Sequence, residues 1–374
     1  MAGIYIHIPF CKQACYYCDF HFSTSLKRKD ELIDSICKEI KLRKDEISDS
    51  IKTIYFGGGT PSLLETTEIN RIIDEVYKNF EVEDHIEITL EANPDDLTEN
   101  KILQLSKTKI NRLSIGIQSF FEEDLKLMNR AHNSNEAKEC LKIATQYFNN
   151  ISIDLIYGIP GMSDDQWIDN LNTALLYGVP HISSYALTVE PKTALKKLIE
   201  VGKIPAVSET DSHRQYLILL DKMNKEGFVN YEFSNFGKEG YFSENNTAYW
   251  QGKPYLGIGP SAHSFDGKVR SWNINNNIKY INQIQKNELP IEWETLSKTD
   301  RYNEYLMTGL RTMWGVSLNK ISQDFGVDFS TYLLTQAKKP LAEGLLVIEN
   351  ETLLISEKGK FLSDGIASNL FMVE

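Results

Sequence analysis

The sequence predicts an α/β fold in which a partial (β/α)6 barrel of the TIM type precedes a winged-helix-like C-terminal module. Short apolar runs alternate with amphipathic helical patterns through the first half of the chain, as expected when strands and helices alternate along a parallel sheet. Polar residues recur just after the predicted strands, which is typical of a barrel mouth. Two helical patterns, a hairpin pattern and a last helical pattern end the chain in the order of a winged helix.

Six strands are predicted in the first half, each as a short run of mainly apolar residues: Ile4 to Ile8, Thr53 to Phe56, His85 to Leu90, Arg112 to Ile117, Ser152 to Tyr157 and His181 to Leu187. The segments between them have helical periodicity: Lys29 to Ile47, Thr67 to Phe80, Glu99 to Leu105, Glu136 to Phe148 and Asp164 to Leu176. Ser163 and Gln166 form the capping box that begins the last of these helices. Such repeats require right-handed crossovers, so the sheet is either open and doubly wound or an incomplete barrel.

The polar residues at the strand ends favour the barrel. They are the segment Gly57-Gly58-Gly59-Thr60-Pro61, Glu91, Gln118 and Asp154, which follow or end strands two to five. Any one of them has an ordinary explanation, since glycines make turns and carboxylates cap helices. Their recurrence favours a shared ligand. No GxGxxG segment follows a strand, so a dinucleotide site lacks its fingerprint.

Three cysteines lie within eight residues directly after the first predicted strand: Cys11, Cys15 and Cys18. Three thiolates without a fourth cysteine nearby indicate an iron–sulfur cluster that leaves one iron open. The alternatives are a zinc site short of one ligand, or cysteines that only pack. Zinc sites usually have paired CxxC modules or a histidine pair, whereas Cys37 and Cys140 stand alone within helical patterns.

Composition limits the classes of function. The 374 residues are 41% hydrophobic and carry a formal charge of −12, so we expect a globular protein that does not bind nucleic acid. No apolar run approaches the roughly 20 residues of a membrane span, and no signal-peptide pattern opens the chain. Thiols reserved for a cluster need a reducing compartment, so we expect a cytoplasmic protein.

Three domains are predicted: the barrel at 1–200, an α/β extension that completes its core at 201–285, and the C-terminal module at 286–374. In the module, helices are expected at Ser317 to Phe325, Thr331 to Leu341 and Glu357 to Phe371, with a hairpin between Gly344 to Ile348 and Thr352 to Ile355. From Lys286 onward nine Lys and Arg face thirteen Asp and Glu, a balance of −4. This charge suits a contact with protein better than one with DNA.

Several motifs together carry a resemblance to a known family: Tyr5-Ile6-His7-Ile8-Pro9-Phe10-Cys11, the CxxxCxxC, the GGGTP segment, Glu91-Ala92-Asn93-Pro94, Ser114-Ile115-Gly116-Ile117-Gln118-Ser119-Phe120, Asp154-Leu155-Ile156-Tyr157-Gly158-Ile159-Pro160-Gly161 and Tyr255-Leu256-Gly257-Ile258-Gly259. They resemble the radical S-adenosylmethionine superfamily. More narrowly, they resemble the branch that holds oxygen-independent coproporphyrinogen III oxidase and the related haem chaperone. The similarity runs over nearly the whole chain.

The resemblance implies a role for each matching residue. Cys11, Cys15 and Cys18 would ligate a 4Fe-4S cluster whose open iron binds S-adenosylmethionine. The residues around that cofactor would be Tyr5 and Tyr17 beside it, Gly58, Gly59 and Thr60 at its methionine part, and Glu91, Gln118, Arg130 and Asp154 at its other polar groups. The resemblance leaves open whether the cofactor is cleaved or only bound, and therefore whether the protein is an enzyme.

Phe20 decides between the two branches. The oxidases resemble CxxxCxxCxC, with a further cysteine at the position of Phe20, so the haem chaperone is preferred to the oxidase. The implied partners are haem and haem-accepting proteins. A radical enzyme acting on nucleic acid is disfavoured by the charge, while a homodimer and peripheral membrane contact stay open.

The haem-binding motif of the chaperone group, HNxxYW, is only partly present. Asn246, Tyr249 and Trp250 match it, but Asn245 replaces the histidine. Imidazole is a common haem ligand, and a neutral carboxamide is a poor iron donor. His263 or Tyr249 is therefore a candidate replacement ligand, although a lone histidine is more often structural.

Overall fold

The computed structural model describes residues 2–373, and its larger sheet contains twelve strands. In chain order these are β1 (Ala2–Ile8), β2 (Ile51–Gly58), β3 (Val82–Ala92), β4 (Arg112–Gln118), β5 (Ile151–Tyr157), β6 (His181–Ala186), β7 (Val229–Glu232), β8 (Asn235–Gly237), β9 (Tyr255–Ile258), β10 (His263–Phe265), β11 (Val269–Asn273) and β12 (Ile291–Thr295). Their spatial order is β12-β11-β10-β9-β1-β2-β3-β4-β5-β6-β8-β7. Strands from all three predicted domains therefore share one sheet, the third domain contributing only β12, and the predicted boundaries stay predictions.

The six strands β1 to β6 run parallel to one another, which confirms the partial barrel. The helices of the described chain are α1 (Lys29–Leu42), α2 (Thr66–Asn79), α3 (Glu99–Leu105), α4 (Glu122–Leu127), α5 (Ser134–Tyr147), α6 (Asp164–Leu176), α7 (Ala194–Glu200), α8 (Glu209–Lys225), α9 (Glu244–Trp250), α10 (Asn277–Gln285), α11 (Lys298–Leu310), α12 (Leu318–Lys320), α13 (Val327–Ala342) and α14 (Ser363–Asn369). No helix among residues 2–373 has the length and apolar character needed to cross a bilayer.

The two faces of the parallel strands differ in chemistry. In β1, Ile4, Ile6 and Ile8 are fully buried in the apolar core that the strands share with the helices. Tyr5 and His7 alternate with them and therefore point to the other face, because successive side chains of a strand point to opposite sides. That inner face is polar, and it carries the candidate site.

Helix α9 is anchored to this inner face by its first turn. The Glu87 carboxylate accepts hydrogen bonds of 3.1 Å from the backbone N–H groups of Glu244 and Asn245. The backbone N–H of Ser243 donates to the Tyr231 hydroxyl at 3.3 Å. The first N–H groups of a helix have no partner within it, so these contacts fix where α9 begins.

The C-terminal module has a separate apolar core, built from residues between Tyr302 and Leu370. Its strands β13 (Val316–Ser317), β14 (Leu346–Glu349) and β15 (Thr352–Ile355) form a sheet in the order β13-β15-β14, and the predicted hairpin is confirmed. The last predicted helix is instead a 3₁₀ turn, Glu357–Leu362, followed by α14. Gly359 packs against the Leu345 carbonyl in that turn, where a Cβ would clash.

Candidate metal and cofactor site

The three cysteines of the motif lie in a loop between β1 and α1, which we call the cysteine loop (residues 11–18). All three are free and half-buried. The Thr60 hydroxyl donates to Sγ of Cys11 at 3.4 Å, and Nη1 of Arg130 donates to Sγ of Cys15 at 3.3 Å. Burial raises the pKa of Cys18 to about 11. Two of the three sulfur atoms are thus already oriented by polar neighbours.

The cysteine loop is held by contacts outside the motif itself. Asn129 donates from its amide to the Ala14 carbonyl at 2.7 Å, and the Gln13 amide donates to the Asn129 carbonyl at 3.0 Å. Lys12 forms ion pairs with Asp95, at 2.8 Å, and with Asp96. These contacts hold the loop against the segments that follow α4 and β3. No sequence motif marks the part played by Asn129.

Among residues 2–373, no three His, Cys, Asp or Glu side chains converge closely enough to share one metal ion. A 4Fe-4S cluster does not require such convergence, because each thiolate ligates a separate iron of the cubane. The donor set of three half-buried thiols in a short loop therefore fits the cluster chemistry.

The glycine segment after β2 passes close to β1 and the cysteine loop. Gly58 has φ +106°, and a Cβ there would lie 2.5 Å from Cε1 of His7. A Cβ on Gly59 would lie 2.7 Å from the Phe10 carbonyl oxygen. The backbone N–H of Thr60 donates to that same carbonyl at 2.6 Å. Only glycine permits this close passage of backbone, which is the cradle that the family resemblance assigns to the methionine part of the cofactor.

Two carboxylates of the inner face are buried: Glu91 lies at the end of β3, whereas Asp154, expected at a strand end, lies in the middle of β5. The Tyr55 hydroxyl donates to Oε1 of Glu91 at 2.7 Å. Burial, with a further contribution from the charge of Asp154, raises the pKa of Glu91 to about 7. Burial also raises the pKa of Asp154 to about 6, against the opposing hydrogen bond from Ser183. A buried carboxylate is costly to keep charged without a polar partner. Glu91 and Asp154 therefore suit a polar ligand bound between them.

Arg130 connects several predicted site residues. Its Nη1 donates to the Tyr17 hydroxyl at 3.3 Å as well as to Cys15, and its Nη2 donates to Oδ1 of Asn93 at 2.7 Å and to the Gly116 carbonyl at 2.9 Å. Asn93 belongs to the motif Glu91-Ala92-Asn93-Pro94, but no role was predicted for it. Its amide also donates to Oγ1 of Thr60 at 3.3 Å, so it bridges the arginine and the glycine segment.

Gln118 and Tyr5 complete the mouth. Gln118 ends β4 with φ 66° and is buried, a conformation that side chains other than glycine adopt rarely and that often marks a functional position. Tyr5 stacks on Tyr55 with ring centroids 6.1 Å apart, and its hydroxyl lies 3.3 Å from Nδ1 of His7. Burial lowers the pKa of His7 to about 4, so its ring is neutral near pH 7.

The haem-motif residues do not lie together at this mouth. Asn245 is 5% exposed, and its side-chain oxygen accepts a hydrogen bond of 3.2 Å from the Thr53 hydroxyl. Thr53 precedes Gly58 by five residues on β2, a separation of about 16 Å along the strand. Asn245 therefore lies near the opposite end of the strands from the glycine segment.

The other haem candidates point elsewhere. Asn246 is half-buried, and the Tyr249 ring meets the Tyr255 ring edge-on with centroids 4.3 Å apart. The Trp250 ring faces the guanidinium of Arg311 in the C-terminal module at 5.3 Å. α9 thus extends from Thr53 of β2 and Glu87 of β3 to the module.

His263 begins β10 and is exposed. It is paired with Trp272 of β11, and the two ring centroids are 6.0 Å apart. Of the predicted haem residues, His263 lies on β10 and Tyr249 packs against Tyr255 of β9. Asn245 is held by β2 and β3, next to Gly3 of β1.

Comparison with known proteins assigns the chain to a family. Residues 5–174 match the Radical SAM superfamily, and residues 296–362 match the HemN C-terminal domain. The protein named heme chaperone HemW of Bacillus subtilis (strain 168) is 32% identical over 373 residues, which cover 98% of both chains. The chain belongs to the HemW family. The heme chaperone HemW of Lactococcus lactis subsp. lactis (strain IL1403) is 31% identical, over 97% of this chain and 95% of that relative.

A solved structure confirms the fold. Coproporphyrinogen III oxidase, HemN, from Escherichia coli superposes with a TM-score of 0.86 at 22% identity, over 99% of this chain and 90% of that one. At that identity the likeness concerns the fold alone. The prediction that the chain falls in the haem chaperone branch rather than among the oxidases is confirmed by the HemW family relatives.

Proposed function

We propose that this protein is a haem chaperone that carries a 4Fe-4S cluster and S-adenosylmethionine, binds haem and delivers it to haem proteins. The observation that carries the proposal is the similarity, over 98% of the chain, to a relative named heme chaperone HemW. The Radical SAM match supports the cluster and the cofactor.

In this proposal Cys11, Cys15 and Cys18 would ligate the cluster, which would leave one iron open to S-adenosylmethionine. The cluster supplies a route for an electron to that cofactor. The chain's own residues orient it: the backbone of Gly58, Gly59 and Thr60 passes along its methionine part, and Tyr5 and Tyr17 flank it.

The polar side chains of the mouth would bind the remainder of S-adenosylmethionine. Glu91 and Asp154 would accept hydrogen bonds from ribose hydroxyls, for which a carboxylate is suited. Arg130 already bonds Cys15 and Tyr17, so it would connect the cofactor to the cysteine loop. Gln118 would contribute its amide from the strained end of β4.

Phe20 supports the chaperone over the oxidase. It stands where the resemblance puts a further cysteine in the oxidases, and 69% of it is exposed. A phenyl ring supplies no thiol to the site. We further propose a cytoplasmic location, because free thiols that bind a cluster need a reducing compartment.

The test begins with anaerobic reconstitution of the cluster. The reconstituted protein is titrated with haem while the Soret band is followed, and consumption of coproporphyrinogen III is assayed separately. Stoichiometric haem uptake and transfer to an apo-haem protein, without porphyrinogen turnover, is the expected result. Turnover without haem uptake would overturn the proposal in favour of the oxidase.

Cys15→Ala tests the cluster assignment, with Cys37→Ala as its matched control. Cys37 is buried in α1, outside the cysteine loop. We expect the iron content per chain to fall sharply only in the first variant. Equal iron in both variants would contradict the ligand set.

A further inference from the structure

Strands β9, β10 and β11 present one aromatic face. Tyr255 pairs with Phe265, and His263 pairs with Trp272. Directly paired residues of antiparallel strands share a face, and residues two apart on one strand do so too. These four rings therefore project to the same side, and Tyr249 of α9 packs edge-on against Tyr255. We call the five residues the aromatic face.

The aromatic face suits a flat apolar ligand. Ring centroids are 4.3 Å apart for Tyr249 and Tyr255 and 6.4 Å apart for Tyr255 and Phe265. Each of these side chains is half-buried, so the face keeps apolar area that a ligand would cover. Offset and edge-on aromatic contacts of this kind stabilise a planar conjugated ring beyond the area buried.

His263 is the member of this face best suited to ligate iron, because burial raises the pKa of the Tyr249 and Tyr255 hydroxyls and disfavours their phenolate forms. No hydrogen bond from residues 2–373 engages either nitrogen of its ring. The histidines nearer the glycine segment are committed: Nε2 of His7 is 3.1 Å from the His21 carbonyl, and Nε2 of His21 is 2.7 Å from Oδ1 of Asn277. His181, deeper in the barrel, bonds Ser152 and Tyr231 at 2.7 Å each.

We propose that His263 is the axial ligand of the haem iron and that the porphyrin lies against the aromatic face. The inference rests on the proposed haem binding and goes further by naming the ligand and the surface. The Asn245 carboxamide lies beside Gly3, the strand partner of Tyr255, but it is buried and already engaged by the Thr53 hydroxyl. Asn245 is then a structural residue.

In this position the haem would lie next to the S-adenosylmethionine site. Tyr5 of β1 pairs with Gly257 of β9, and the backbone of His263 packs directly on Gly257. Tyr5 therefore lies between the two ligands. Binding of S-adenosylmethionine is expected to perturb the absorption spectrum of bound haem.

The test is a haem titration of the full chain and of His263→Ala, with His85→Ala as the control. His85 is an exposed histidine on β3, outside the aromatic face. We expect His263→Ala to weaken haem binding by at least about tenfold, since loss of even a second-shell partner of a metal ligand costs that much. The Soret band should also shift as the iron loses its nitrogen ligand. His85→Ala should match the parent in both measurements.

Two further variants separate the ligand from the surface. His263→Gly with added imidazole should recover the parent spectrum, because free imidazole can occupy the vacated position. Trp272→Leu should weaken binding without shifting the Soret band. If the parent takes up no haem, the proposed function fails. If the parent binds haem and His263→Ala keeps its affinity and spectrum, the proposed function survives and this inference is wrong.

Discussion

Nη1 of Arg130 lies 3.3 Å from Sγ of Cys15, so a side chain from the segment after α4 directly contacts a sulfur of the cysteine loop. The same guanidinium reaches Asn93 after β3 and the Gly116 carbonyl within β4. One planar group thereby connects three segments that are distant in sequence.

Arg130→Lys should disrupt this arrangement, because an ammonium group cannot reproduce the fork of a guanidinium. Removing hydrogen bonds to a charged group costs about 1.5–3 kcal/mol in the free energy of unfolding. We expect the free energy of unfolding, measured by urea denaturation, to fall by that amount. We also expect less iron per chain after reconstitution. Arg71→Lys is the control, since Arg71 is exposed and forms its ion pair with the surface residue Asp34, outside the cysteine loop. Equal iron in the two variants would contradict the role of Arg130.

Gly58→Ala should impair both stability and cofactor binding. The new Cβ would combine a φ of +106° with a clash against the His7 ring. Backbone strain of this kind costs about 1–3 kcal/mol, and the clash adds to it. Gly161→Ala separates the two effects, because Gly161 has φ +91° but no atom within 4 Å of its added Cβ. Calorimetric titration of the reconstituted proteins with S-adenosylmethionine should detect binding to Gly161→Ala and none to Gly58→Ala.

Glu91 should make the cofactor-free protein less stable as pH rises. Burial raises its pKa to about 7, above the usual value of 4.5. Between those values the folded protein holds a proton that the unfolded chain releases, so the Glu91 contribution to stability falls with rising pH. Glu91→Gln mimics the protonated carboxyl and removes this dependence. We therefore expect the variant to gain stability over the parent between about pH 5 and pH 8, as measured by thermal melting. A difference that does not change with pH would contradict the raised pKa.

Asn245→Ala should destabilise the fold without changing haem affinity. It leaves the buried Thr53 hydroxyl without its acceptor, which costs about 1–3 kcal/mol in the free energy of unfolding. Asn246→Ala is the neighbouring control, because Asn246 is half-buried and its side chain has no hydrogen bond within residues 2–373. A haem affinity that falls in Asn245→Ala alone would assign Asn245 to the haem site and contradict the structural role.

The barrel was predictable because its signals are local. Apolar runs such as Ile4 to Ile8 and the capping box at Ser163 act within a few residues, and the structure has β1 and α6 where they indicate. The helix predicted over Lys29 to Ile47 ends earlier, at Leu42, because Arg43 turns into the core to bond Glu39 and the Gly257 carbonyl. That partner lies 214 residues away, beyond the range of any local pattern.

The site was predictable only where motifs mark it. The cysteines and the glycine segment are visible in the sequence, but the Tyr55 contact with Glu91 depends on strand register. The separation of Asn245 from His263 depends on how α9 enters the barrel, which one buried carboxylate, Glu87, decides. Sequence order put Asn245 beside its motif neighbours, and on α9 it shares a face with Tyr249, but its side chain is buried against Thr53.

The backbone bonds between β7 and the C-terminal module have a consequence for solubility. β7 is the last strand in the order of the large sheet, and Glu232 forms a bridge with Thr312 while the Met313 N–H donates to the Tyr231 carbonyl at 3.0 Å. The module thereby covers an edge strand whose unpaired backbone N–H and C=O groups would otherwise pair with a strand of another chain. A chain cut after residue 295 should accordingly self-associate through β7, even with its cysteine loop intact.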